Sequence, residues 1–219
     1  MRELRQFEAV IFDMDGLLLD TERIALAAFH ETCEHFGLGN ETELFMRCIG
    51  TNTELGEAVL TDGFKGKTDH LAFVQMWDAN YLERTTNTPI PLKDGATELL
   101  AHLTALGIPV AVATSTSSAR ARQKLQSAGI LTRFKAVIGG DQVANSKPQP
   151  DIYIKAADVL GVRPDRCLAL EDSENGVRSA TSAGMTVIQI PDLAEPTDAL
   201  RSLGHIILET LHDVRRYAF

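Results

Sequence analysis

Cysteine is scarce in this chain: Cys33, Cys48 and Cys167 are odd in number and scattered. That excludes a disulfide framework and offers no zinc spacing, so free thiols packed as small hydrophobes in a reducing cytoplasm are expected. Positive charge is also short. With 21 Lys+Arg against 30 Asp+Glu the formal net charge is -9, the wrong sign for gripping nucleic acid or an anionic membrane. A small anion stays within reach, because a local cation or metal overrides the global field. No apolar run approaches the roughly 18 residues of a spanning helix. The opening Met1-Arg2-Glu3-Leu4-Arg5-Gln6 has charges without an apolar stretch behind them, so no secretory leader is expected. Internal repeats and low-complexity segments are missing too. A monomer is the default expectation.

What the chain has is alternation. Short apolar runs rich in β-branched residues read as buried strands at Phe7–Phe12, Ile108–Ala113, Lys135–Ile138, Cys167–Leu170 and Thr186–Ile190, with His205–Leu208 a weaker sixth. Amphipathic patterns lie between them near 95–106, 117–128, 150–160 and 174–183. Gly107, Gly129, Gly161 and Gly184 sit just past these patterns, where a left-handed residue ends a helix. Pro150 suits the start of its helix. Such alternation predicts an α/β fold, a Rossmann-like parallel sheet with helices on both faces. From about Glu22 to Asn87 only helical patterns occur, too long for an ordinary connection. The expected organisation is a core from 1–20 plus 90–219 and an inserted α-helical cap domain over 21–89.

The reactive side chains fall at strand ends. Asp13 and Asp15 end the first strand, Thr114 and Ser115 the second, and Glu171 and Asp172 the fourth, while Lys147 follows the third. The carboxyl ends of a parallel sheet form one rim where ligands bind, so these groups converge on a single site. In Asp13-Met14-Asp15-Gly16, side chains two apart in extended chain point the same way. Such a pair can divide labour as nucleophile and general acid/base. Glu171 and Asp172 add negative charge that a divalent cation would relieve, and an all-oxygen set suits Mg²⁺. Thr114 and Ser115 offer donors at a strand-to-helix turn, and Lys147 a compact positive charge for phosphate oxygens. Each piece alone has a plainer reading as a turn, a cap or a surface lysine. Together, in order on successive strands, they describe phosphoryl transfer.

The segments IFDMDGLLLDTE (Ile11–Glu22), VATS (Val112–Ser115), SKPQPDIY (Ser146–Tyr153) and LEDSENG (Leu170–Gly176) resemble, in order, the four motifs of the haloacid dehalogenase superfamily, and within it the β-phosphoglucomutase-like branch with a helical cap. The resemblance implies Asp13 as nucleophile and Mg²⁺ ligand, and Asp15 as acid/base offering its backbone carbonyl to the metal. It implies Thr114, Ser115 and Lys147 as phosphate-binding, and Asp172 as a metal ligand assisted by Glu171. The family's dehalogenases lack the second aspartate of the first motif, so Asp15 points to phosphate chemistry. The mutases carry a histidine twelve residues after the nucleophile, where this chain has Ala25, and a cap arginine shortly after a glycine. Here that stretch is Ile49-Gly50-Thr51-Asn52-Thr53, with Gly50 kept as a substrate contact and no arginine. The resemblance therefore favours hydrolysis of a small phosphorylated metabolite, a sugar phosphate or nucleotide-like monophosphate, through an aspartyl-phosphate. A phosphosugar mutase and a non-catalytic phosphometabolite-binding regulator are the alternatives.

Three further patterns receive plain readings. Gly63-Phe64-Lys65-Gly66-Lys67-Thr68 misplaces the first glycine of a phosphate loop and follows no strand. His30, Cys33, Glu34 and His35 read as an exposed helix face. Trp77 and Tyr81, one helical turn apart, read as cap core.

Overall fold

The computed structural model describes residues 7–49 and 53–219. Six strands form one parallel sheet in the order β3-β2-β1-β4-β5-β6. They are β1 (Ala9–Phe12), β2 (Val110–Thr114), β3 (Ala136–Gly139), β4 (Cys167–Glu171), β5 (Thr186–Gln189) and β6 (Ile206–Ile207). The helices between them are α5 (Ala96–Ala105), α6 (Ser118–Ser127), α7 (Asp151–Leu160), α8 (Glu174–Ser182) and the short α9 (Asp198–Arg201), with α10 (Leu211–Ala218) last. The expected strands and helices of the core are all present, their ends shifted by a residue or two, with β2, β3 and β4 each running one residue further than expected. Gly107, Gly129, Gly161 and Gly184 take positive φ, between 68° and 83°, as the reading of helix ends required.

Alternation along the strands builds the two sides of the core. Val10, Phe12, Val112, Leu168 and Leu170 point to one face and pack with Leu99, Leu103, Leu125, Leu211 and Val214. Ala9, Ile11, Ala111, Ala113 and Ala169 point to the other and meet Ile152, Tyr153, Ala156, Val177 and Ala180. Alanines on that second face let α7 and α8 lie close to the sheet. Both faces are covered, as an all-parallel sheet requires. Each fully buried aliphatic or phenyl side chain contributes about 1.5–3 kcal/mol, so the two layers supply most of the driving force.

Between β1 and α5 the described residues form four further helices: α1 (Thr21–His35), α2 (Thr42–Cys48), α3 (Thr53–Gly63) and α4 (His70–Asn87). Asp69 caps α4, its carboxylate accepting from the N–H groups of Leu71 and Ala72. These helices bury their own cluster, Phe29, Leu44, Phe45, Leu60, Phe64 and Phe73. Trp77 packs edge-on against Phe29 and Phe45 and donates its indole N–H to the Ala25 carbonyl at 2.9 Å. The chain enters and leaves this insertion side by side. Asp20 N–H donates to Pro91 O and Lys93 N–H to Leu18 O, both at 2.9 Å. Among the described residues no helix is long and apolar enough to cross a membrane. Cys33 and Cys167 are buried free thiols, and Cys48 is half-buried.

Candidate active site

Asp13 follows β1 directly, and its N–H still pairs with Leu170 O of β4 at 2.9 Å, so the sheet itself fixes its place. Its Oδ1 accepts from Lys147 Nζ at 2.5 Å, and the same ammonium donates to Glu171 Oε1 at 2.6 Å. Glu171, the last residue of β4, has no exposed surface. Tyr153 of α7 donates its hydroxyl to Oε1 at 2.6 Å. Oε2 takes the N–H groups of Asp172 and Ser173 and the Ser173 hydroxyl, at 3.1, 3.3 and 3.2 Å. Two glycines make the crowding possible. A Cβ at Gly176 would overlap the Glu171 carboxylate, and one at Gly16, whose φ is +85°, would overlap that of Asp172.

Oxygen atoms of Asp13, Glu171 and Asp172 lie within 4.8 Å of one another, and all three residues are buried. Among the described residues Lys147 is the cation that pairs with this group, so with all three carboxylates ionised two negative charges would go unbalanced. The electrostatic result follows. Burial pushes Asp13 up to about 8, with Lys147 opposing and Glu171 adding to the rise. Burial, then the charges of Asp13 and Glu171, hold Asp172 well above the carboxylate range. Lys147 is itself buried, which disfavours its charge, yet Asp13 and Glu171 outweigh this and raise it above its ordinary value. Hard oxygen donors with excess negative charge suit a small divalent cation such as Mg²⁺, so the donor set fits the ion.

Asp15 has separate partners. Its Oδ1 accepts from Lys124 Nζ of α6 at 2.7 Å. Its Oδ2 accepts from the hydroxyls of Thr116 at 2.7 Å and Thr114 at 3.4 Å. Burial would raise this carboxyl, but Lys124 and the Thr116 hydroxyl prevail and hold it below its ordinary value. Beside it opens a cavity of about 460 Å³, whose lining includes Ala25, Tyr81, Ser115, Thr116, Arg120 and Lys124. Glu22 lies on the same wall, pushed up to about 7 by burial and by the charges of Asp15 and Asp192.

The residues singled out in the sequence thus fall into two adjoining groups. Asp13, Lys147, Glu171 and Asp172 form the buried cluster, and Asp15 and Thr114 bond each other beside the cavity that Ser115 lines. Gly50 lies outside the described residues. Thr116, Lys124, Tyr81 and Tyr153 were not among the expected site residues. Lys124 had a signal: it shares a helical stripe with Ala121 and Leu125, and a lysine on a buried face needs a partner. Tyr81 corrects its reading as cap core, since its hydroxyl meets Lys124 at 2.9 Å on the cavity wall. His30 likewise is half-buried rather than exposed, its Nε2 2.8 Å from Thr42 Oγ1.

Residues 10–190 match the model of the haloacid dehalogenase-like hydrolases. The chain belongs to this family. A relative named "Probable pseudouridine-5′-phosphatase" from Drosophila melanogaster is 34% identical over 86% of this chain and 84% of its own length. The phosphorylated carbohydrates phosphatase of Thermotoga maritima is 33% identical over 81% of this chain and 82% of its own. Among solved structures, a haloacid dehalogenase family hydrolase from Deinococcus radiodurans with bound phosphate and sodium superposes with a TM-score of 0.83 at 28% identity, covering 97% of this chain and 95% of that one. β-Phosphoglucomutase-like members of the family are also among its structural neighbours. With relatives named as phosphatases inside this hydrolase family, the chain is a phosphoric monoester hydrolase.

Proposed function

We propose that this chain hydrolyses small phosphate monoesters, of sugars or nucleosides, through phosphoryl transfer to Asp13. The observation that carries the reading is the Asp13 carboxylate held by Lys147 at the sheet rim, within a buried, charge-excess carboxylate trio. Asp13 and Asp172 are the ligands we assign to Mg²⁺, with Glu171 supporting them and Asp15 offering its backbone carbonyl. When bound, the ion neutralises the charge of the carboxylates and of the phosphoryl oxygens.

The remaining steps belong to the chain's own residues. Asp13, whose ionised form Lys147 favours, attacks phosphorus with a carboxylate oxygen. The P–O bond to the leaving group breaks, and the alcohol oxygen takes a proton from the protonated form of Asp15, leaving its carboxylate. Lys147 and the donors of Thr114 and Ser115 hold the non-bridging oxygens as charge shifts onto them. A water then attacks phosphorus and gives its proton to Asp15. The bond to Asp13 breaks, and inorganic phosphate leaves. Lined by hydroxyls and mixed charge, the cavity beside Asp15 suits a polyhydroxylated leaving group. Ala25 stands on its wall where the mutases carry a histidine, which supports hydrolysis over isomerisation.

Phosphate release from a panel of sugar and nucleoside monophosphates, with Mg²⁺ and with chelator, tests the reading. Asp13→Asn should be inactive while still folded, its thermal melt remaining cooperative. Near-normal turnover in that variant would overturn the aspartyl-phosphate mechanism, and product isomerised rather than dephosphorylated would restore the mutase.

A further inference from the structure

Lys124 is nearly buried, 7% exposed, yet belongs to none of the four motifs. Its ammonium reaches from the second turn of α6 to two groups, Asp15 Oδ1 at 2.7 Å and the Tyr81 hydroxyl at 2.9 Å. Asp15 lies on the loop after β1, and Tyr81 lies on α4, the last helix of the insertion. A single buried cation therefore joins three separate segments at the wall of the leaving-group cavity. Its Nζ also sits 5.2 Å from the centre of the Tyr81 ring, so the contact is both a hydrogen bond and a cation–ring approach.

We propose that Lys124 is a positioning residue for Asp15, and that the Tyr81 hydroxyl makes this positioning depend on α4 lying against the core. The inference rests on the phosphatase reading, in which Asp15 is the acid/base. Both oxygens of that carboxylate are held, Oδ1 by Lys124 and Oδ2 by Thr116 and Thr114, so its rotation is fixed from two sides. The Asp15 side chain is 24% exposed to the cavity, and without Lys124 only the threonine hydroxyls on Oδ2 oppose its turning into that space. An acid/base turned away by an ångström loses much of the advantage of being bound at all. Stability alone is a poor reason for the pair, since a buried ion pair is often matched or bettered by apolar residues of similar volume. Tyr81 adds the dependence on the insertion. When α4 rests on α6 the ammonium is gripped from both sides, and when it lifts one grip is lost.

The test compares wild type with Lys124→Met, Tyr81→Phe and the double variant, on an alkyl phosphate and on an aryl phosphate whose leaving group departs as a stable anion. On the alkyl substrate Lys124→Met should lower kcat/KM by about 10²-fold, the scale of a displaced general acid. On the aryl substrate, which needs no proton, kcat/KM should fall by less than about fivefold, because it reports the first phosphoryl transfer alone. Tyr81→Phe should cost about fivefold on the alkyl substrate, and the double variant should be no slower than Lys124→Met, since the two act through one contact. Equal losses on both substrates, an unchanged Lys124→Met, or effects of the two substitutions that multiply would overturn the inference. Should Lys124→Met fail to fold, Tyr81→Phe at its half-buried site decides, wild-type kcat/KM on the alkyl substrate counting against the proposal. A wild type that releases phosphate while Lys124→Met matches it removes this inference alone. A wild type that releases none removes the phosphatase reading and this inference with it.

Discussion

At Asp13 two demands conflict. The side chain must be ionised to attack phosphorus, yet burial pushes it up to about 8. Its ordinary value is 3.8, so across the interval between, the folded protein holds a proton that the unfolded chain has released. Stability of the metal-free protein should therefore fall as pH rises from about 4 to about 8, where the unfolded state binds fewer protons than the native one. Asp172 shifts in the same direction and adds to the slope. A divalent cation replaces those protons, so the gain in melting temperature on adding Mg²⁺ to chelator-treated protein should be small near pH 5 and grow toward pH 8. A gain independent of pH, or none, would count against Mg²⁺ at these carboxylates. Asp13, Lys147, Glu171 and Asp172 were legible in the sequence because strand ends share one rim, a consequence of topology alone. Thr116, Lys124 and Tyr153 were not. Their roles depend on which helix face turns inward and on how far a side chain reaches, and a motif read along one strand holds neither fact.

Among the elements, strands and helices of the core were readable because each obeys its own period and α5, α6, α7 and α8 are each followed by a glycine at positive φ. The last strand shows the limit: four expected residues, His205–Leu208, reduce to Ile206–Ile207 at the sheet edge, where pairing comes from β5 alone. At α8 an element and the site share one residue. Ser173 caps the helix, its hydroxyl accepting from Gly176 N–H at 3.2 Å, and the same hydroxyl lies 3.2 Å from Glu171 Oε2. Ser173→Ala should lower stability by about 1 kcal/mol, the usual worth of a lost N-cap. Denaturant unfolding measures that change, and an unaltered midpoint would show that the cap contributes nothing here. Since Glu171 keeps four other donors, the variant should retain most of its phosphatase rate.

For the whole molecule, the question is what ties the helical insertion to the sheet. Its two connections run side by side, and one core carboxylate clasps both: Asp192 Oδ1 accepts from Arg23 at 2.7 Å on the way in and from Lys93 at 2.5 Å on the way out. Arg23 is half exposed, so its share of the clasp is weak and easily screened. Lys93 and Asp192 are far more enclosed, at 19% and 2% side-chain exposure, and carry more of it. Leu193, the next residue, packs against the insertion's own phenylalanine cluster, so the loop after β5 touches core and insertion together. The clasp lies at the connections, whereas Lys124 and Tyr81 meet at the cavity, and the insertion is thus held at two separated points. Asp192→Ala removes the first and leaves the second. Amide exchange at Asp20 and Lys93, whose N–H groups bond across the two connections, should then quicken by about tenfold, equivalent to about 1.4 kcal/mol of local stability. Amides of β1 and β4 should be unaffected, because they sit in the centre of the sheet. Exchange that quickens equally across the whole core would mean that Asp192 stabilises the fold at large rather than the connections. Unchanged exchange at Asp20 and Lys93 would mean that their backbone pairing suffices without it.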